Sequence, residues 1–185
     1  MKQPLVLSLV VMIACDILAQ PRRHDRVVVV PTPGKVVLDG DLKDWDLSAA
    51  LDCAFDESLR PRFSVTIAFM HDAKALYIAA RFHDDTPLCN RHDPKVEPNK
   101  GWAGDCLQVR LSSDPKAPYP LRNSNDDRIC HLTMWFYTDR REPVLHLQYG
   151  MDYHGTKVWV GSESGVAFKR HPDGKGYTLE ARIPW

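Results

Sequence analysis

The sequence predicts an all-β protein built as an antiparallel β-sandwich. Three observations carry this: short runs of alternating apolar and polar residues, turn signals between them, and fourteen prolines in 185 residues. One domain accounts for the length, with enough apolar content to bury a core. Lys plus Arg equals Asp plus Glu at 24 each, so no field of one sign draws nucleic acid or an anionic membrane surface. There is no internal repeat and no low-complexity tract.

The first twenty residues read as a signal peptide, because Lys2 is followed by an apolar run from Leu5 to Ala14 that is too short to anchor in a bilayer. Export is the expectation, to a secreted, periplasmic or cell-surface location with no transmembrane anchor after processing. Cleavage after Ala19 and lipidation of Cys15 are both open, and Met12 in place of the usual lipobox Leu favours the former. Residues 21–25 form a charged linker and the domain occupies 26–185. Either route leaves Cys53, Cys89, Cys106 and Cys130, an even set that allows three disulfide pairings or four buried thiols. Their spacing fits no zinc site.

Taken in order, Arg26 to Val30 is a Val-rich strand, and Pro31 to Gly34 a turn. Val36 to Asp39 is a second strand, whose turn at Asp39-Gly40-Asp41 delivers Trp45 as an inward anchor, the two Asp side chains bonding the turn's own backbone. Trp45 to Arg60 is irregular, with one helical turn. Phe63 to Met70 and Ala75 to His83 alternate cleanly and form a hairpin closed by His71 to Lys74. The polar loop Asp84 to Lys100 is too long for a turn. Its Asp84, Asp85, Asn90 and Asp93 are hard oxygen donors that could hold calcium, weighed against a solvated acidic loop because no EF-hand spacing is present.

The chain is organised around Gly101 to Leu111, GWAGDCLQVRL, a Gly-flanked aromatic turn running into a half-buried strand. Leu107, Val109 and Leu111 claim the core; Gln108 and Arg110 share the other face, with Trp102 at its upstream edge. After a loop at 114–127, Arg128 to Thr138 repeats the pattern, with Leu132, Met134 and Phe136 inward and His131, Thr133, Trp135 and Tyr137 outward. Val144 to Tyr149 places His146 and Gln148 out of phase with Leu145 and Leu147. Lys157 to Val160, Gly165 to Lys169 and Tyr177 to Trp185 complete the strands. The outward set Trp102, Gln108, Arg110, His131, Thr133, Trp135 and Gln148 mixes indoles with hydrogen-bonding groups. A sugar-binding face needs that mixture, since pyranose C–H faces pack on aromatic rings while hydroxyls require donors and acceptors. The competing structural reading makes Trp102 and Trp135 packing anchors and the polar residues the wet side of a sheet.

An enzyme would need convergent acid, base or nucleophile. No G-x-S-x-G, HExxH or phosphate loop occurs. Asp105 and Glu180 are the nearest to a hydrolytic carboxyl pair, but Asp105 reads as a loop cap and Glu180 as one of its strand's polar positions, paired with an Arg. No catalytic residue is expected.

LDGDLKDW, ALYIAARFHDD, GWAGDCLQVRL and GYTLEARIPW occur in an order and phase that resemble the family 9 carbohydrate-binding modules of the DOMON-like superfamily. The resemblance covers nearly all of residues 26–185. It implies an immunoglobulin-like two-sheet sandwich of exported bacterial proteins, commonly appended to glycoside hydrolases, that binds poly- or oligosaccharide without catalysis. It also implies structural calcium in some members, and no other cofactor. Trp102 matches one of two tryptophans that sandwich a terminal sugar, Asp105 the acid heading the strand, and Gln108 a position where those members carry Glu. The partner tryptophan falls after the Ile-Pro-Trp strand, so the resemblance implies either a C-terminally truncated copy or a half-built site; a last apolar strand that would be an exposed edge favours truncation, with at least one further strand beyond Trp185. Two alternatives stand beside sugar binding: a structural or adhesion domain with no small ligand, and a haem-binding DOMON-like domain drawing on Met70, Met134 and His131.

Overall fold

The computed structural model describes residues 26–54, 56–112, 116, 129–149 and 154–185. The expected signal peptide, the linker and nearly all of the 114–127 loop lie outside the described residues.

Among the described residues ten strands form two sheets. The first contains β1 (Val29–Pro31), β2 (Leu51–Cys53), β3 (Phe63–His71), β4 (Ala75–Asp84), β9 (Val166–Arg170) and β10 (Tyr177–Pro184). Its order is β1-β3-β4-β10-β9, with β2 also paired to β3. The second contains β5 (Cys106–Ser112), β6 (Ile129–Tyr137), β7 (Glu142–Tyr149) and β8 (His154–Val160) in sequential order. All pairings are antiparallel except that of β1 with β3. The antiparallel sandwich expected from the alternating runs is the observed fold.

The inner faces of the two sheets meet over Leu76, Ile78 and Ala80 of β4, Leu179 and Ala181 of β10, and Leu132, Met134 and Leu145 of β6 and β7. Burial of side chains of this size stabilises a fold by about 1.5–3 kcal/mol each, the main term holding the sheets together. Part of the outer face of the first sheet is buried as well. Ala68, Met70, Tyr77 and Ala79 lie under Leu42 and Trp45, so β4 reads as a nearly continuous apolar run because both its faces are covered.

Three elements differ from the sequence expectation. Residues 26–28 are not strand, and β1 begins at Val29. Val36 to Asp39 is not a strand either: its backbone N–H groups go to side chains instead of a ladder, Val37 donating to Asp44 at 2.7 Å and Asp39 to Glu180 at 2.9 Å. The irregular region after Trp45 hides β2, three residues without a long alternation, which pairs with β3 at Val65–Ile67. Beside it, β1 pairs with Phe69–His71, so two short strands in tandem cover the same edge of β3.

Glu180 joins the first segment to the last strand. It is fully buried, and its carboxyl oxygens accept from the Trp45 indole at 2.7 Å, from the Asp39 backbone, and from the Gly40 backbone. It is therefore bonded to an indole and two peptide N–H groups, and the expected Arg partner is replaced by these donors. Gly40 has φ +74, and a Cβ there would strike Lys169, so the turn that aims these N–H groups requires glycine. Asp39 does bond its own turn, accepting from the Asp41 backbone at 2.9 Å. β10 is flanked by β4 and β9 on its two sides, so it is a central strand and not an exposed edge.

Glu180→Ala leaves two buried N–H donors and one part-buried one without this acceptor, at about 1–3 kcal/mol for each buried donor. Urea unfolding should show a loss on the order of 3 kcal/mol or more relative to wild type. A loss under about 1 kcal/mol would mean that the segment is held by the Trp45 packing alone.

Candidate functional site

The outer face of the second sheet carries two polar rows and one apolar row, set by strand register. Arg110 of β5 stands opposite His131 of β6, which stands opposite Gln148 of β7. Next come Gln108, Thr133 and His146, and then Cys106, Trp135 and Val144. The inward partners Leu107, Val109 and Leu111 pack against the core, as their phase predicts.

The apolar row is roofed by a 3-10 helix, Pro98–Ala103, at the end of the long loop. Trp135 is fully buried, and the helix sits so close that a Cβ on Gly101 would come within 2.5 Å of its ring. The Trp135 indole donates to the His92 carbonyl at 3.2 Å. Asn90, itself buried, donates through its side-chain amide to the Gly101 carbonyl at 2.7 Å and to the Asp105 carbonyl at 3.2 Å. Asp105 in turn accepts from the Cys89 backbone at 2.7 Å, which is the loop-capping role its sequence context suggests. These bonds make the loop an ordered shelf. At its end Trp102 is 59% exposed, standing over the polar rows.

Shelf and sheet enclose a cavity of about 470 Å³ lined by Pro98, Asn99, Gly101, Trp102 and the two polar rows in full. It falls in the size range of small-molecule sites. Six of the seven sequence-derived candidates meet there: Trp102, Gln108, Arg110, His131, Thr133 and Gln148. Trp135 does not. Its position on the outward phase is as expected, but the shelf covers it, so it is a floor anchor under Gly101 and not a ligand contact. Sequence reasoning missed His146, Asn99 and the organising Asn90. The alternation of β7 already grouped His146 with Gln148; Asn99 carried no signal, and joins the site by accepting from the Gln148 amide at 3.2 Å.

Burial, reinforced by neighbouring His131, depresses His146 to about 4, and its Nε2 lies 2.7 Å from the Thr156 hydroxyl. His131 is also held below the usual histidine range, by burial and then by Arg110. Both imidazoles are therefore uncharged at neutral pH. The lining offers an indole face, two primary amides, hydroxyl and imidazole groups and one guanidinium. That set can stack on a ring and bond its substituents, and it holds no Asp or Glu among the described residues.

The other candidates lie apart. Asp85 is bonded to Arg62 at 2.6 Å, Asp84 accepts from the Thr86 backbone at 2.8 Å, and Asp93 from the Lys95 backbone at 2.8 Å. Among the described residues no three His, Cys, Asp or Glu side chains, Asp84, Asp85 and Asp93 included, come together as a group that could hold a metal ion. Met134 and His131 occupy opposite faces of β6, and Met70 lies beneath the Trp45 segment, with its sulfur accepting from the Asp46 backbone at 3.3 Å. The three cannot converge on one haem iron. Cys89, Cys106 and Cys130 stand as thiols, with burial pushing Cys106 up to about 11.

A solved structure of similar architecture is a family 9 carbohydrate-binding module from Caldicellulosiruptor kristjanssonii in complex with glucose, with a TM-score of 0.50 and 18% identity over 85% of this chain and 68% of that one. The fold is that of a family 9 carbohydrate-binding module. A second structure of a family 9 module from that organism, in complex with cellotriose, aligns with a TM-score of 0.48 and 17% identity over 84% of this chain and 66% of that one. The match thus spans about two thirds of each module's length. No protein-family model matches the chain, and no curated protein matches it in sequence. Among the described residues no helix is long and apolar enough to cross a membrane.

The histidines give the site a pH signature. The unfolded chain binds a proton at His146 near pH 6.5, whereas the native site resists it until about pH 4. The stability this contributes is complete above 6.5 and is lost as the pH falls toward 4. In scanning calorimetry the wild-type midpoint should fall more steeply across that window than the midpoint of His146→Gln. Parallel slopes would show that His146 titrates alike in both states.

Proposed function

We propose that this chain binds carbohydrate, without catalysis, in the cavity on the outer face of the second sheet. One observation carries the reading: an exposed indole stands over two rows of hydrogen-bonding side chains in a cavity of about 470 Å³. Support comes from the fold shared with a module that holds glucose. Trp102 supplies the stacking platform, while Gln108, Arg110, His131, Thr133, His146 and Gln148 meet hydroxyls. Asp105 and Glu180, the two carboxyls nearest to a hydrolytic pair in the sequence, instead hold backbone N–H groups and an indole, outside the cavity lining.

Trp102→Ala should cost on the order of 2 kcal/mol or more of binding, about thirtyfold, because a stacking aromatic dominates such an interface. Its thermal midpoint should barely move, since the side chain is 59% exposed. Gln108→Ala should cost about 1 kcal/mol, one exposed hydrogen bond. Retention on soluble and insoluble polysaccharides, followed by a glycan array, checks both. An adhesion domain without a small ligand predicts no retention by either the parent or the variant.

We place the chain, by the same reading, in an exported protein, as a binding module of a larger glycan-degrading one. Mass spectrometry of natively produced protein should find a mature start at Gln20 or a lipidated Cys15; an intact Met1 would refute export.

A further inference from the structure

The outer face of the first sheet, beyond the Trp45 segment, holds a second cavity of about 400 Å³, lined by Ser64 and Thr66 of β3, Arg81 and His83 of β4, and His171, under Arg60. Ser64 stands opposite His83, and Thr66 opposite Arg81. These are successive outward positions on two neighbouring antiparallel strands. Cross-strand side chains leave a sheet about 5 Å apart, and successive residues on one face lie about 7 Å apart along a strand. Two hydroxyls, an imidazole and a guanidinium therefore surround one small patch of sheet. Among the described residues none of these four side chains is tied to another group by a hydrogen bond or an ion pair.

The groups around the patch are already engaged. Arg60, which covers it, gives its guanidinium to two acids, Glu57 at 2.7 and 3.0 Å and Asp52 at 2.6 Å. It is a roof and not a free donor. His171 forms a side wall, its Nε2 lying 3.1 Å from the Thr178 hydroxyl. Burial holds this imidazole below the usual histidine range against the pull of Asp173, and Arg81 and His83 add to the effect of burial, so the three share one space. Asp173 itself accepts from the Lys175 backbone at 2.9 Å. Among the described residues no acid lines the cavity.

We infer that this patch is a second binding site, for a tetrahedral oxyanion: phosphate or sulfate, as a free ion or as an ester group. Arg81 supplies the charge and a fork of N–H donors matched to such oxygens. Ser64, Thr66 and His83 each supply a single further donor. A tetrahedral anion has an oxygen for each of the four groups, whereas a carboxylate has only two to share among them. The site lies on the opposite outer face of the sandwich from the cavity beneath Trp102, so both can be filled at once. It does not depend on the carbohydrate-binding reading.

The test is titration of the full chain with inorganic phosphate and with sulfate, followed by the backbone amide resonances of residues 64–66 and 81–83, with sodium chloride at matched ionic strength as the control. Both anions should shift these resonances saturably, and chloride should not. Arg81→Gln should weaken binding about tenfold or more, and Arg81→Lys, which keeps the charge but loses the fork, should fall between. Ser64→Ala combined with Thr66→Val should weaken it without any change of charge. The dispersion of the amide spectrum reports in the same experiment that each variant is folded. Glycerol phosphate and dextran sulfate, titrated into Trp102→Ala to remove any contribution of the indole cavity, separate the sources. Binding of the free ions alone assigns an ion site, and tighter binding of the esters assigns an ester-bearing molecule. Acetate bound as tightly as phosphate would overturn the tetrahedral class. Shifts reproduced by chloride, or unchanged in Arg81→Gln, would overturn the site.

Discussion

The buried carboxyl of Glu180 determines which surfaces of the sandwich are available. Its position on β10 points away from the inter-sheet core, onto the outer face of the first sheet, where an isolated charge would be costly. Burial pushes its pKa up, and the Trp45 indole with the Gly40 and Asp39 N–H groups opposes that shift. The bonds that solvate Glu180 also clamp residues 39–45 across the sheet, and Trp45 then seals Met70, Tyr77 and Ala79 from water. The first sheet is thereby closed on its outer face along this stretch. Beyond it the outer face of the first sheet turns polar at Ser64, Thr66, Arg81 and His83, and the cavity with the indole lies on the outer face of the second sheet.

Packing on that second face is divided by the shelf. One side of it is a small core, in which Gly101 is pressed on Trp135 and Val144 lies beneath. The other side is open, where Trp102 stands over Gln108 and Arg110. The division depends on Asn90, whose amide bonds two carbonyls eleven and fifteen residues away and fixes the height at which the loop crosses the sheet. Two tryptophans on the same side of the sheet therefore do different work. Trp135 stabilises the platform, and Trp102, held by backbone rather than by burial of its ring, remains available to a ligand.

Much of this was legible in the sequence, for a physical reason. Strand alternation reports which side of a sheet a residue occupies, and Leu107, Val109, Leu132 and Met134 fixed the phase of β5 and β6 without ambiguity. The opposite phase then grouped Gln108, Arg110, His131, Thr133 and Gln148 correctly. Phase does not report depth. Whether an outward residue meets water or a covering loop depends on chain distant in sequence, which is why Trp135 was grouped with the exposed set and Glu180 with an Arg. Short elements were invisible for a related reason: β2 is three residues long, too few for a period. Val36 to Asp39 had strand composition, but its N–H groups found carboxylates before a neighbouring strand.

The polar rows are also informative as a cost. His131, Thr133, His146 and Gln148 each have 7% or less of their surface accessible, yet line a cavity and not a core. Apolar residues of similar volume would avoid the desolvation that depresses both histidines. Folding alone gives no reason to place four hydrogen-bonding side chains in two adjacent ranks beneath an exposed indole. The sheet's other outward rank, Cys106, Trp135 and Val144, shows the solution that stability favours. Polar ranks beside an apolar one on the same three strands are therefore best explained by a molecule that meets them from outside, whose polar groups repay their desolvation when it binds.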